Sequence, residues 1–78
     1  MSRVRNSFTS KVILYKEEKD LETICYLLKT GNEVIINVSL VDISKRYRVI
    51  DFVSGFVMAY SGKRKKIESN IYSFKIKG

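Results

Sequence analysis

The spacing of apolar positions changes period several times along the chain, and each change predicts one element. Lys11 to Tyr15 is a short apolar run that suits a strand, and Glu17 to Thr30 then follows helical periodicity with acidic residues in its first turn. Gly31 is placed to end that helix as a C-terminal cap. Val34 to Val38 is β-branched and apolar on both faces, which is typical of a strand in the middle of a sheet.

The second half of the chain continues with a longer helix and two strands. Ser39-Leu-Val-Asp42 resembles a capping box, and the helical pattern after it extends to Ser61, with Gly62 ending it. Lys63 to Glu68, which is strongly basic, and Ile71 to Ile76 are the strands. The order β-α-β-α-β-β, with crossover-length helices, predicts an α/β (α+β) two-layer sandwich with both helices on one face of a mixed sheet.

The long helix has apolar residues on two adjacent sides. One stripe contains Ile43, Tyr47, Ile50, Ser54 and Val57, and the other contains Val49, Phe52, Val53, Phe56 and Tyr60. So much apolar circumference requires burial of more than one side. We therefore expect one side to face the sheet of its own chain and the other to face a partner.

Gly55 lies inside this helix, where glycine costs about 1 kcal/mol relative to alanine. The close approach of a second helix would offset that cost, and the alternative is a tolerated glycine that packs only within its own monomer. A chain of 78 residues is marginally stable unless self-association adds buried area. We therefore predict a homodimer whose interface contains Val49, Val53, Gly55 and Phe56.

The composition argues against an enzyme. Histidine is absent, and the eight carboxylates show no metal-ligand spacing and no Gly-rich phosphate loop beside them. The single cysteine, Cys25, lies on the apolar face of the first helix and is expected in the core, which fits a reducing, cytoplasmic compartment. No catalytic residue, metal site or cofactor is predicted.

The net charge of +7 favours an acidic partner, which could be nucleic acid, an anionic membrane surface or an acidic peptide. Lys45, Arg46 and Arg48 cluster near the start of the long helix, where cations oppose the helix dipole. Contact with an acidic partner and simple solvation are both open interpretations of this cluster. Lys63 to Lys66 form a basic run that suits either a lysine-protected edge strand or a phosphate contact.

Three blocks of sequence resemble the core domain of the SepF family. They are Lys29-Thr-Gly-Asn-Glu-Val-Ile-Ile-Asn37, Arg48-Val-Ile-Asp-Phe-Val-Ser-Gly55, and Tyr60-Ser-Gly62 with Lys66-Ile67 after it. SepF proteins are bacterial cell-division proteins that link the tubulin-like FtsZ to the membrane. The resemblance covers Lys11 to Ile76, and it assigns residues 11–78 to a SepF-like domain behind a flexible basic tail at residues 1–10.

The resemblance implies a dimeric, non-catalytic adaptor that binds the C-terminal peptide of FtsZ and acts in the cytoplasm at the division septum. In the family, a basic residue before the Asp-Phe pair and the aromatic residue of that pair form part of the peptide pocket. Lys45 or Arg46, and Phe52, match those positions, and Arg48 is a further cation for the rim. The small residue after the pair matches Gly55.

The chain also departs from the family pattern. Family members begin with an amphipathic membrane-binding helix and a polar linker, whereas Met1 to Ser10 precede the first predicted strand here. Association with the inner face of the membrane is therefore left open, as is polymerisation of the dimers. The alternative hypothesis is an Alba-like basic dimer that binds nucleic acid, which the element order and charge also fit. The aromatic platform of an RNA-recognition sheet is missing, which disfavours nucleic acid.

Overall fold

A computed structural model describes residues 10–76 of the chain. The elements are β1 (Ser10–Leu14), α1 (Lys19–Lys29), β2 (Glu33–Asn37), α2 (Ile43–Ala59), β3 (Lys63–Glu68) and β4 (Ile71–Lys75). The predicted order β-α-β-α-β-β is confirmed. The predicted N-terminal tail lies outside the described residues, except for Ser10, which begins β1.

The strands form one mixed sheet in the order β1-β2-β4-β3. β1 and β2 run parallel, so α1 serves as the crossover between them, and β4 pairs antiparallel with both β2 and β3. β2 is an interior strand, as its apolar character on both faces predicts. The sheet's two edges among the described residues are β1 and β3.

Both helices cover one face of this sheet. α1 packs on β1 and β2, α2 packs on β3 and β4, and the two helices contact each other. The core between the layers contains Tyr15, Ile24, Leu28, Val34, Ile36, Val38, Val49, Ile50, Val53, Val57 and Phe74. Alternation along the strands sends the neighbouring residues to the opposite face, where Val12 and Leu14 are exposed and Ile35 is half-buried. The predicted two-layer sandwich is confirmed.

The helix boundaries show one correct and one wrong prediction. Gly31 has a φ of 93° just after the C-cap residue Thr30, so it ends α1 in the left-handed conformation that favours glycine. The capping box at residues 39–42 is wrong, because α2 begins at Ile43 and its N-cap residue, Asp42, makes no side-chain cap hydrogen bond. Ser39 instead donates its backbone N–H to Oδ1 of Asn37, at 2.9 Å, in a local turn that competes with the cap.

Gly62 follows α2 as predicted, but close packing explains it better than a special backbone conformation. The left-handed residue at this corner is Ser61, with a φ of 60°. A Cβ on Gly62 would lie 2.9 Å from the carbonyl oxygen of Val57 and closer still to the carbonyl oxygen of Lys75. The end of α2 therefore passes so near the end of β4 that a side chain at position 62 has no room.

Candidate functional site

A groove of about 530 Å³ lies between the start of α1 and the first half of α2. Its walls are formed by Tyr15, Lys16, Glu17, Glu18, Leu21, Val41, Lys45, Arg48, Val49 and Phe52. We call this feature the interhelical groove. It brings together three of the four predicted partner-binding residues, since Lys45, Arg48 and Phe52 all line it.

The apolar part of the groove depends on Phe52. Its side chain is 51% exposed, although it belongs to the apolar pattern of α2. The ring of Phe52 therefore lies outside the core, and its neighbour Val53 is the residue that α2 buries in the core at this point. Leu21 and Val41, which are partly buried, complete the apolar surface. An exposed aromatic ring beside a concave apolar surface is typical of a peptide-binding site.

The rim of the groove carries charges of both signs. Lys16, Lys45 and Arg48 supply cations, and Glu17 and Glu18 supply anions. The arrangement suits a ligand with an apolar side chain for the groove and charged groups for its rim.

The loop before α1 is held in place by hydrogen bonds. Oδ2 of Asp20 accepts the backbone N–H of Lys16 at 2.7 Å and of Glu17 at 3.0 Å. These two bonds hold the pKa of Asp20 below its usual value. Burial raises the pKa of Tyr15, and the carboxylates of Glu18 and Asp20 raise it further. The groove wall built by residues 15–18 is thus positioned before any ligand arrives.

Arg46, the fourth predicted residue, does not line the interhelical groove. Its Nε donates to the carbonyl oxygen of Val41 at 2.7 Å, and its Nη2 donates to that of Ser39 at 3.1 Å. Its Nη1 donates to Oδ1 of Asn70 at 3.3 Å, next to a second cavity of about 330 Å³ on the other flank of α2. Arg46 therefore fastens the loop before α2 to the β3–β4 turn.

The four residues predicted for the dimer interface divide into two groups. Val49 is 5% exposed and Val53 is 0% exposed, so both side chains are committed to the core and present almost no surface to a second chain. Gly55 is exposed, and Phe56 is half-buried with its ring centroid 5.2 Å from that of Tyr60. Nothing lies within 4 Å of a Cβ built on Gly55, so the alternative that it is packed within its own monomer is wrong.

The half of the groove that precedes α2 was not predicted from the sequence. Tyr15, Leu21 and Val41 come from three separate segments, and only the contact between the two helices brings them beside Phe52. Leu21 was the sequence feature that could have indicated this part of the groove, because it belongs to the apolar side of α1. In the structure its side chain is only partly buried.

Within residues 10–76, neither helix combines the length and the apolar character needed to cross a bilayer. In the same range, no three histidine, cysteine, aspartate or glutamate side chains group together as metal ligands. Cys25 is partly buried, and its burial raises the pKa of the thiol.

Comparison with known proteins gives a consistent result. Residues 11–75 match the family model described as Cell division protein SepF. Cell division protein SepF of Caldanaerobacter subterraneus subsp. tengcongensis is 39% identical over 64 residues, which is 80% of this chain and 48% of that protein. Cell division protein SepF 2 of Desulforamulus reducens is 36% identical over 55 residues, covering 70% of this chain and 34% of that protein.

A third relative, Cell division protein SepF of Clostridium beijerinckii, is 30% identical over 71 residues, which is 88% of this chain and 47% of that protein. The chain thus spans less than half the length of these three curated relatives. The family model nevertheless covers nearly every residue of the two-layer domain. The chain belongs to the SepF family of cell-division proteins.

Proposed function

We propose that this chain is a non-enzymatic cell-division adaptor that forms a homodimer and binds the C-terminal peptide of FtsZ in the interhelical groove. In this role it supports assembly of the Z-ring and formation of the septum, on the cytoplasmic side of the membrane. The observation that carries the proposal is the half-exposed ring of Phe52 above an apolar groove, in a chain of a cell-division family.

Binding would bury apolar side chains of the peptide against Phe52, Leu21 and Val41. Full burial of a phenylalanine side chain contributes about 1.5–3 kcal/mol, so covering the exposed half of Phe52 would contribute about 1 kcal/mol or somewhat more. Lys45 and Arg48 would hold acidic groups at the rim, each pair contributing at most about 1 kcal/mol. The apolar contact and the rim cations therefore contribute free energies of the same order, and the cations also orient the peptide.

Arg46 takes an indirect part in this proposal. Its guanidinium is already bonded to two carbonyl oxygens and one amide oxygen, and the carbonyl of Val41 is one of them. Because Val41 is also a wall of the groove, Arg46 acts as a positioning residue that fixes one side of it.

The proposed dimer uses the outward side of α2. Phe52, Gly55 and Ala59 are exposed and spaced by three and four residues, so they share that side. The missing side chain of Gly55 lets a second α2 approach closely, which would compensate for glycine in a helix. The proposed interface therefore rests on Gly55 and Phe56, with Ala59 beside them, while Val49 and Val53 support it from the core.

The binding experiment is a fluorescence-anisotropy titration of a labelled FtsZ C-terminal peptide, run beside a labelled DNA duplex at low and at physiological salt. We expect Phe52→Ala to remain folded and to bind the peptide about tenfold more weakly, the equivalent of about 1.4 kcal/mol. Met58→Ala is the matched control, because Met58 is an apolar α2 residue that is 69% exposed and lies outside the groove.

Two results would overturn the proposed site. If Phe52→Ala binds the peptide as wild type does, the groove is not the site, and if it unfolds, Phe52 serves the core. Tight DNA binding with a steep salt dependence and no peptide signal would favour the Alba-like alternative, which the family match does not support.

The dimer is tested by sedimentation velocity of Gly55→Lys, which we expect to be monomeric because a lysine there blocks the close approach of a second helix. Thr23→Lys adds the same charge at an exposed site on α1 and should remain dimeric. An intact Gly55→Lys dimer would remove this side of α2 from the interface.

A further inference from the structure

The free edge of β3 carries the longest run of like charges in the described chain, the four cations at Lys63–Lys66. β3 pairs with β4 on one side, and no described strand pairs with its other side. All six of its residues are exposed, and four of the six are lysine or arginine. An edge strand presents a row of unpaired backbone N–H and C=O groups that another strand can bind.

The basic side chains flank this edge on both faces of the sheet. The register pairs Lys63 with Lys75 and Lys65 with Ser73, whereas Arg64 and Lys66 alternate with them and point to the face that the helices cover. A strand added along this edge would therefore meet a cation above and below at successive positions.

Contacts with α2 and β4 hold β3 in place. Nη1 of Arg64 donates to Oγ of Ser54 on α2 at 2.9 Å, and its guanidinium carbon lies 5.9 Å from the ring centroid of Tyr72. The regular pairing of β3 with β4 is interrupted between Lys66 and Glu68. The straight part of the edge therefore runs from Lys63 to Lys66, a length that suits a short extended peptide.

The usual explanation for lysines on an edge strand is protection against unwanted pairing. On β3 this protection acts against basic strands and not against acidic ones. A second copy of β3 placed against the first would oppose one run of four cations to another, and like charges directly opposite destabilise a strand pair. An acidic strand would instead meet opposite charges. The same side chains thus reject self-pairing and favour an anionic peptide.

We propose that the free edge of β3 binds an acidic peptide segment in extended conformation, which adds to the sheet as a fifth strand beside Lys63–Lys66. Main-chain hydrogen bonds would supply the register, and the cations would supply the preference for acidic sequences. This site is independent of the proposed FtsZ function, because β3 lies at the opposite edge of the sheet from β1 and none of its residues lines the interhelical groove.

The probe is a fluorescein-labelled peptide of alternating glutamate and valine, seven residues long, titrated against the full chain at low and physiological salt. Two further probes carry N-methyl groups on alternate backbone amides, one on the odd and one on the even positions. N-methylation removes the hydrogen-bond donor and leaves the charge unchanged. In a strand pair, alternate amides face the partner, so one methylated probe should bind about tenfold or more weakly while the other retains affinity.

The protein variants separate the edge from charge in general. Lys65→Glu with Lys66→Glu should weaken binding of the unmodified probe about tenfold or more, through lost attraction and new repulsion. The matched control is the double charge reversal Lys19→Glu with Lys29→Glu on α1, at two exposed residues of a helix that packs on β1 and β2. Phe52→Ala should leave binding unchanged, which distinguishes this site from the groove.

Four results would overturn the proposal. The first is an unmodified probe that shows no saturable binding, and the second is equal binding of the two methylated probes. The third is a Lys19→Glu, Lys29→Glu variant that weakens binding as much as the edge variant does. The fourth is a DNA duplex that binds more tightly than the probe and loses affinity in the edge variant, which would assign Lys63–Lys66 to phosphate contacts.

Discussion

Replacing Gly62 with alanine should destabilise the domain strongly, although the change adds one methyl group. Gly62 lies where the end of α2 meets the end of β4, and its N–H donates to the carbonyl oxygen of Val57 at 2.6 Å. A Cβ at this position would lie 2.9 Å from that same oxygen and 3.1 Å from Cα of Ile76, with the carbonyl oxygen of Lys75 nearer still. All three neighbours are backbone atoms, so no side chain can rotate away to make room.

The magnitude follows from this geometry. Forcing extra volume into a closely packed site costs about 1–3 kcal/mol, and the rigid surroundings favour the upper part of that range. Alanine also restricts the unfolded chain, which offsets about 0.4–1 kcal/mol of the cost. A net loss of about 2 kcal/mol would be a large part of the total stability expected for a domain of this size, about 4–12 kcal/mol. The corresponding fall in Tm is about 8–16 °C.

Gly55→Ala is the matched control, because it is the same chemical change in the middle of α2. Nothing lies within 4 Å of a Cβ at Gly55, so alanine gains helix propensity there and should raise the stability by about 1 kcal/mol. Thermal unfolding followed by circular dichroism, at a protein concentration low enough for monomers, measures both variants. A Gly62→Ala protein that melts at or above the wild-type temperature would refute the close approach of α2 to β4.

Three further predictions concern the core, a loop and the open sheet face. Val53→Ala should lower the free energy of unfolding by about 2–3 kcal/mol in urea titration, because Val53 is 0% exposed. Phe52→Ala should lower the same free energy by about 1 kcal/mol or less, because Phe52 is 51% exposed. Asp20→Ala should cost about 1 kcal/mol, since it frees the two backbone N–H groups that Oδ2 accepts before α1, and Asp20→Asn should recover part of that loss. The hydroxyls of Ser73 and Ser10 donate to the Glu33 carboxylate at 2.6 and 2.7 Å and hold its pKa below the usual 4.5. The resulting stabilisation is present above pH 4.5 and is lost as the pH falls through the lowered folded-state pKa. Urea titrations at pH 7 and at acidic pH measure this loss in the free energy of unfolding. The loss should be smaller in Glu33→Gln than in wild type.

The element order and the sheet's interior strand could be predicted from sequence because they depend on local periodicity. Val34 to Val38 is a β-branched run, and its alternate residues Val34, Ile36 and Val38 form the buried face beneath the helices. Gly31 could likewise be assigned, because a helix end in the left-handed conformation favours one residue type. In each case the sequence pattern and the structural feature that it predicts lie within a few residues of each other.

The predictions that failed or changed depended on alternative hydrogen-bond partners or on contacts between residues that are distant in the sequence. The capping box at residues 39–42 did not form because the side chain of Asn37 binds the backbone N–H of Ser39 instead. Helical spacing showed that Val53 shares a side with Phe56, but not that the sheet covers Val53 completely. The wall of the groove before α2 required the contact between the helices, which no local pattern encodes.

The position of β4 in the sheet has a consequence for synthesis of the chain. β4 lies between β2 and β3, with Val34 paired to Phe74, yet it is the last described strand to leave the ribosome. Until it emerges, β2 has an open edge, and β3 has no described neighbour. The sheet can therefore close only once translation has passed residue 75, and a nascent chain halted before Ile71 would expose the apolar edge of β2 to chaperones and to other unfolded chains.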